Sequence, residues 1–452
     1  MIQARVAVVL GTLGLTLGAS GADAQSLEQA LISAYLTNPQ LEAQRAALRA
    51  TDELVPQALG GWRPTVEAEG AVVYNDTDGS GNTGDTFTTR SGSVALDQNI
   101  YNGGETVANT RRAERLVRVE RARLVVVEQD VLLDAVTVYT DLLAARAVLD
   151  FANQNEGRLL RQLQATRDRF EVGEVTRTDV AQAEARHSGA IADRIQAEGA
   201  VAAAIASYRR VINQEPAGLV VPPPLDLLPP SEDEAQQLGL DLNPSIAAAQ
   251  YNLSAAESDV DVAESALLPS VSVRGELAYA RDPSENLNYR RDASIGASLR
   301  VPLYQGGGEY ARIRQTKQTV RQRRDEVEDT IRAVRDEVTA SWEALVTATS
   351  RIESIGAQVR ANEIAVEGSR QEALVGQRTT LDVLDQESDL FQSQVDLVQA
   401  RRDQIVASYR LKAAVGQLTA GGISLPVQPY DSEAYYNDTR NRWIGVGESP
   451  GG

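Results

Sequence analysis

Two carboxylates, Asp382 and Asp385, stand three residues apart in a stretch of helical periodicity, so they share one face of a helix. Acidic groups at that spacing repel anions and gather cations, and each should raise the other's pKa. Arg378 lies just ahead of them and offers a rigid fork of donors. The rest of the chemical inventory is thin. The single histidine, His187, falls in a helix of mixed polarity, where a lone imidazole is ordinarily a surface group. There is no Ser/His/Asp pattern and no metal-ligand spacing. Cysteine is absent, which excludes thiolate catalysis, disulfides and an acylated N-terminal Cys. Gly306-Gly307-Gly308 follows a strand without a GKS/T or GxGxxG continuation, so it reads as a joint. These features indicate no enzyme, no cofactor and no structural metal. A net charge of −19 disfavours nucleic acid and anionic membrane surfaces as partners.

The elements that carry these residues are laid out twice. Asn38-Pro39 recurs as Asn243-Pro244 and Arg63-Pro64-Thr65-Val66 as Leu268-Pro269-Ser270-Val271, each 205 residues on. Tyr101-Asn102-Gly103-Gly104 recurs as Tyr304-Gln305-Gly306-Gly307, and Val172-Gly173 with Asp179-Val180 as Val375-Gly376 with Asp382-Val383, each 203 residues on. Residues 1–24 read as a signal peptide: a basic start, a 13-residue apolar run over Val6–Gly18 and the small-x-small site Ala22-Asp23-Ala24. Residues 25–214 form the first repeat, 215–231 a linker with six prolines, 232–418 the second repeat, and 419–452 a polar, aperiodic tail expected to be partly disordered. Each repeat reads helix, strand, loop, strand, very long helix, turn, helix. In the first copy the pattern places a helix over Leu27–Leu59, strands over about Thr65–Tyr74 and Ser93–Tyr101, and a loop near Asn75–Ser91.

The strands alternate. Val271, Val273, Leu277 and Tyr279 face one way, and Ser272, Arg274 and Glu276 the other. This pattern fits a soluble sheet with one wet face as well as a transmembrane barrel strand. The signal peptide and the lack of any later 18-residue apolar run favour the barrel, because only helices and closed barrels satisfy the backbone in lipid. The helix after Gly308 carries a heptad of Ile331, Val338, Leu345, Ile352, Val359 and Val366, the mark of a supercoiled seam. Four strands cannot close a barrel, and about eight leave no lumen. A conduit therefore needs three chains. A fibrous coiled coil would share the rods but not account for the strands.

Taken together the arrangement resembles the TolC family of outer-membrane channel proteins, from about Ser26 to Leu418. The most specific stretch is Val375-Gly376-Gln377-Arg378-Thr379-Thr380-Leu381-Asp382-Val383-Leu384-Asp385, with its counterpart Val172–Val180. The resemblance implies an α+β membrane protein: a homotrimer whose four strands per chain make a 12-stranded outer-membrane β-barrel, continued by a 12-helix periplasmic α-barrel. It implies outer-membrane lipid around the barrel, and as partners a periplasmic adaptor (membrane fusion) protein and an inner-membrane ABC or proton-driven transporter. The missing N-terminal Cys resembles the non-lipidated, type I secretion branch; small-molecule efflux is the alternative, and a poreless coiled-coil envelope protein the remoter one.

The resemblance also assigns residues. Asp382 and Asp385 match positions that line the periplasmic aperture as carboxylate rings able to hold a multivalent cation. Arg378, Thr178 and Asp179 match positions that lock neighbouring hairpins in the closed state, though Ala373 stands where the family can carry a Tyr. Gly173 and Gly376 mark the inner-tip turns where an adaptor would dock, and both also suit plain helix C-caps.

Overall fold

The computed structural model describes residues 25–447 apart from 80–81, 224, 226–227 and 285–286. The expected signal peptide lies outside the described residues. The chain opens with α1 (Leu27–Thr37), α2 (Pro39–Asp52) and α3 (Leu54–Leu59). One helix was expected over this span. Pro39 supplies no N–H and pushes Asn38 to an extended conformation, so the helix stops and restarts. Asn38 then serves both sides of the break. Its side-chain oxygen accepts the N–H of Gln40 at 2.9 Å, and its amide donates to the Val211 carbonyl at 3.2 Å.

A short 3₁₀ turn leads into β1 (Thr65–Gly79) and β2 (Asn82–Asn102), followed by α4 (Glu105–Glu171) and α5 (Arg177–Ile212). The second half repeats the plan as α6 (Glu232–Leu242), α7 (Pro244–Ser265), β3 (Ser270–Ser284), β4 (Leu287–Arg300), α8 (Gly308–Leu374) and α9 (Thr380–Ala414). Asn243 repeats the role of Asn38, accepting from Ser245 N–H at 2.9 Å and donating to the Ala414 carbonyl at 2.9 Å. At ~1.5 Å per residue, α4 and α8 are each rods of about 100 Å.

The strands form one antiparallel sheet in the order β1-β2-β3-β4. The register sorts side chains into rows. Val66, Leu96, Gly275 and Ile295 align on one face, and Ala68, Val94, Leu277 and Ala293 align in the next row outward. Between these rows, on the opposite face, lie Glu67, Ala95, Glu276 and Ser294. Ile295 is 84% exposed, so in one chain the apolar face is bare. The loop expected near Asn75–Ser91 is instead a continuation of the hairpin, with Asn75 paired to Phe87 and Thr77 to Asp85. Ladder bonds there satisfy the backbone whatever the side chains, so the strands outrun the apolar alternation by which they were recognised.

The main core sits midway along the rods, where Leu31 and Leu41 meet Leu132, Tyr139, Leu142, Tyr208 and Ile212, joined by Leu418. Along α8 the seam is closed by Val334, Val338, Ser341, Ala348, Val359 and Val366.

The described part of the tail, as far as Gly447, packs against the body. It runs back along the first repeat through α10 (Ala434–Thr439). The Tyr435 hydroxyl donates to Glu53 at 2.9 Å, Arg440 pairs with Glu114 at 3.1 Å and Arg121 with Glu433 at 2.8 Å. Tyr436 packs on Val55, Ala113 and Val117, and the Arg442 carbonyl accepts from Arg63 at 2.7 Å. These contacts are spread over isolated aromatics and charges, which leave no periodic signal.

Asp52 lies in this region, 1% exposed and with neither carboxylate oxygen hydrogen-bonded. Burial pushes its pKa up to about 6, against the pull of Arg121 and with a smaller push from Glu53. The folded chain therefore holds a proton that the unfolded chain has released, and the stability this confers is present at low pH and lost as pH rises through about 6. Asp52→Asn is expected to stabilise the protein by roughly 1–3 kcal/mol at pH 8 and by little at pH 4. Thermal melts of variant and wild type across that range should diverge as pH rises; parallel curves would contradict the assignment.

Candidate functional site at the hairpin tips

The far ends of α4 and α8 are built alike. Each rod ends at a valine, Val172 or Val375, followed by a glycine in the left-handed conformation, Gly173 at φ 80° and Gly376 at φ 77°. Only glycine holds that conformation at no steric cost. Glu174 N–H then reaches back to the Arg169 carbonyl at 2.9 Å, and Gln377 N–H to Glu372 at 2.9 Å. This is the paired closure of a helix end, and it satisfies orphan carbonyls before the chain reverses.

The return helices start on matching capping boxes. The Thr176 hydroxyl accepts from Asp179 N–H at 3.3 Å while the Asp179 carboxylate accepts from Thr176 N–H at 2.8 Å. Thr379 and Asp382 do the same at 3.2 and 3.0 Å. Both carboxylates sit below their ordinary pKa. For Asp179 the chief cause is the Thr176 hydroxyl, and for Asp382 the Thr379 backbone N–H. Asp382 is thus shifted down, not up as expected, because donors aimed at its carboxylate stabilise the charge directly.

The two aspartates are divided by their partners. Asp382 closes its own helix. Asp385, one turn on, accepts from Arg186 of α5 at 2.5 Å and so ties the second hairpin to the first. Arg378 reaches Glu372 across its own turn at 2.8 Å. Within one chain it therefore does not meet Thr178 or Asp179, and Asp179 is occupied by Thr176.

Sequence reasoning missed a buried tie between the hairpins. Glu387 on α9 is 3% exposed and lies between two arginines. Arg158 from α4 donates its Nε at 2.7 Å, and Arg370 from α8 donates to the other carboxylate oxygen. Beneath this clamp Leu384 packs against Leu159, Leu163, Ala183 and Ala190 of the first hairpin. Glu387 lies five residues beyond Asp382 and two beyond Asp385, but in sequence it is a plain helical glutamate. What distinguishes it is its pair of partners, Arg158 on α4, 229 residues away, and Arg370 on α8.

The tips also expose apolar side chains. Val172, Leu374 and Val375 are each more than two-thirds accessible. Among the described residues no group of His, Asp and Glu is arranged to hold a metal, and no helix is long and apolar enough to cross a membrane.

Comparison with known proteins places this architecture. The model of a family described as outer membrane efflux protein matches residues 30–214 and 236–417, one match per repeat. The outer membrane efflux protein BepC of Brucella suis is 34% identical over 98% of this chain and 96% of its own. The outer membrane protein TolC of Vibrio cholerae is 26% identical over 92% and 94%. The crystal structure of the Campylobacter jejuni CmeC outer membrane channel superposes with a TM-score of 0.79 over 92% of this chain and 89% of that one, at 14% identity.

Proposed function

The chain belongs to the outer membrane efflux protein family, and from that premise we propose how its parts divide the work of an export duct. It is an outer-membrane exit duct that passively conducts cargo from the periplasmic side to the exterior. Its sheet lies in the outer membrane and most of its mass in the periplasm. The family is one of channel proteins. The observation that carries the reading is the sheet itself: one chain offers four paired strands with an apolar face, and β1 and β4 are left as open edges. Open edges are untenable in lipid, so β4 of one copy pairs with β1 of the next, and three copies close a lumen. The test is electrophoresis of unboiled detergent extract with bilayer recording. A heat-modifiable trimer that conducts is expected, and a non-conducting monomer would end the reading.

The hairpin tips form the gated inner end. Asp382 and Asp385 are its carboxylate rings, and the exposed Val172, Leu374 and Val375 around Gly173 and Gly376 are where a periplasmic adaptor docks. An inner-membrane transporter supplies the energy. Arg378 is the residue that reaches a neighbouring hairpin at Thr178 and Asp179, and it must first leave Glu372 to do so. Arg378→Ala is expected to raise single-channel conductance severalfold, whereas Glu372→Ala, which frees the guanidinium, should leave it unchanged or lower. Equal currents in all three proteins would remove Arg378 from the gate.

The cargo is protein or small molecule. The name of the Brucella suis relative speaks of efflux, which favours the small-molecule reading. The name of the alkaline protease secretion protein AprF of Pseudomonas aeruginosa, 26% identical over 69% of this chain, speaks for secretion. Deleting the gene and comparing secreted proteins with susceptibility to toxic compounds separates the two.

A further inference from the structure

The apolar face of the sheet does not end in the way it begins. Going outward from the rows already described, the next row is Gly70, Gly92, Tyr279 and Arg291, and the one after it Val72, Arg90, Arg281 and Tyr289. Three arginines thus stand on the face that meets lipid, on a chain with a net charge of −19. They lie eight to ten residues beyond Leu299 along the strands, which at ~3.3 Å per residue and a tilt of about 40° is roughly 20–25 Å above the base of the apolar band. That is the height of the band itself, so the arginines lie at its outer rim, at headgroup level.

Among the described residues, carboxylates answer only part of their positive charge. Arg90 and Arg281 are directly opposed across the β2–β3 ladder, an arrangement that costs free energy without a counter-charge. Among the described residues Arg281 pairs with Asp282 at 3.8 Å, and Asp76 lies two rows further out on the same face. Arg291 is held by rings, 5.8 Å from the centroid of Tyr279 and 5.6 Å from that of Tyr289. A guanidinium stacked in this way keeps its N–H edge free for bidentate bonding to an oxyanion. All three arginines are exposed.

We propose that Arg90, Arg281 and Arg291, set among Tyr74, Tyr279 and Tyr289, form a docking belt for the anionic headgroup of an outer-leaflet lipid. The apolar rows below take its acyl chains, the tyrosines sit at the interface, and the arginines receive its phosphate or carboxylate groups. Overall charge argues against an anionic membrane surface, and this belt is a local exception built into the one part of the chain that lipid surrounds. The inference rests on the barrel reading of the sheet, yet the two fail separately: a conducting trimer with no lipid preference sinks the belt alone.

The test uses the full-length trimer in nanodiscs of phosphatidylcholine with and without lipopolysaccharide. Lipid retained per trimer is counted by native mass spectrometry, and thermal stability is read alongside. Wild type should retain lipopolysaccharide in preference to phosphatidylcholine and melt higher with it. R90Q/R281Q/R291Q should retain about tenfold less, ~1.4 kcal/mol, and R90K/R281K/R291K should keep most of it, all with unchanged conductance. If the glutamine triple does not assemble, R291Q makes the same comparison with a smaller loss. No preference in wild type, or full retention in the glutamine variants, overturns the proposal. So does an equal melting shift from inorganic phosphate alone, which would mark a free-anion site.

Discussion

Glu387→Ala is expected to splay the hairpins and destabilise the trimer more than any other single substitution near the tips. The carboxylate is almost fully enclosed and is the shared partner of Arg158 and Arg370. Arg158 is itself only 15% exposed, and one of its guanidinium nitrogens, Nη2, is buried with no partner, so Glu387 is what holds its charge in place. Removing the acid leaves two cations facing each other across α4, α8 and α9. Breaking a buried ion pair from one side costs about 3–5 kcal/mol, because the desolvation penalty of the survivor is no longer offset; here that survivor is Arg158, since Arg370 is 40% exposed. The rods have no alternative packing there, since Leu384 sits in the same joint. Loss should therefore appear both as a lower melting temperature and as a larger, noisier conductance. Replacing all three members by methionine should recover most of the stability, since an apolar joint of equal volume is often as good. Wild-type melting and currents in Glu387→Ala would show that the clamp carries no load.

The second large effect concerns cation block. Asp382→Asn with Asp385→Asn is expected to weaken block by a trivalent cation about 100-fold, or ~2.7 kcal/mol. Three copies lose six carboxylates between them, and a ring of charge acts through its sum. Asparagine is the informative replacement. Asp382 also caps α9 through Thr379, so alanine would loosen the turn and confuse gating with charge. Asparagine still accepts that N–H. Because hydrogen bonds from Thr379 hold Asp382 below the usual carboxylate range, its charge and its capping contribution should survive as pH falls through that range and disappear only at lower pH. The single variants should differ as well. Asp385→Asn also removes the charge from the tie to Arg186, so it alone should raise conductance while reducing block. Undiminished block in the double variant would move the cation site elsewhere in the lumen.

The duplication, the length of the rods, the alternation of the strands and the glycine turns were all legible in the sequence. Each is a short-range consequence of residue type: glycine at a left-handed turn, an apolar side chain every second or seventh residue. The expectation of more than one copy rests on a count, since four strands are too few to close a barrel. Tertiary structure decided whatever depends on how one rod is rotated against another. Glu387 and Glu367 look alike as helical glutamates, yet Glu387 is enclosed by arginines from two other helices, whereas Glu367 receives only Gln371 one turn along at 2.9 Å. The tie of Asp385 to Arg186, the docking of the tail against α2 and α4, and the burial of Asp52 are of the same kind. So is the row that sets Arg90 against Arg281, because register, not composition, brings residues from different strands face to face. Local propensity has no term for a partner two hundred residues away, and at those positions only the packed chain determines which charges are solvated and which are clamped.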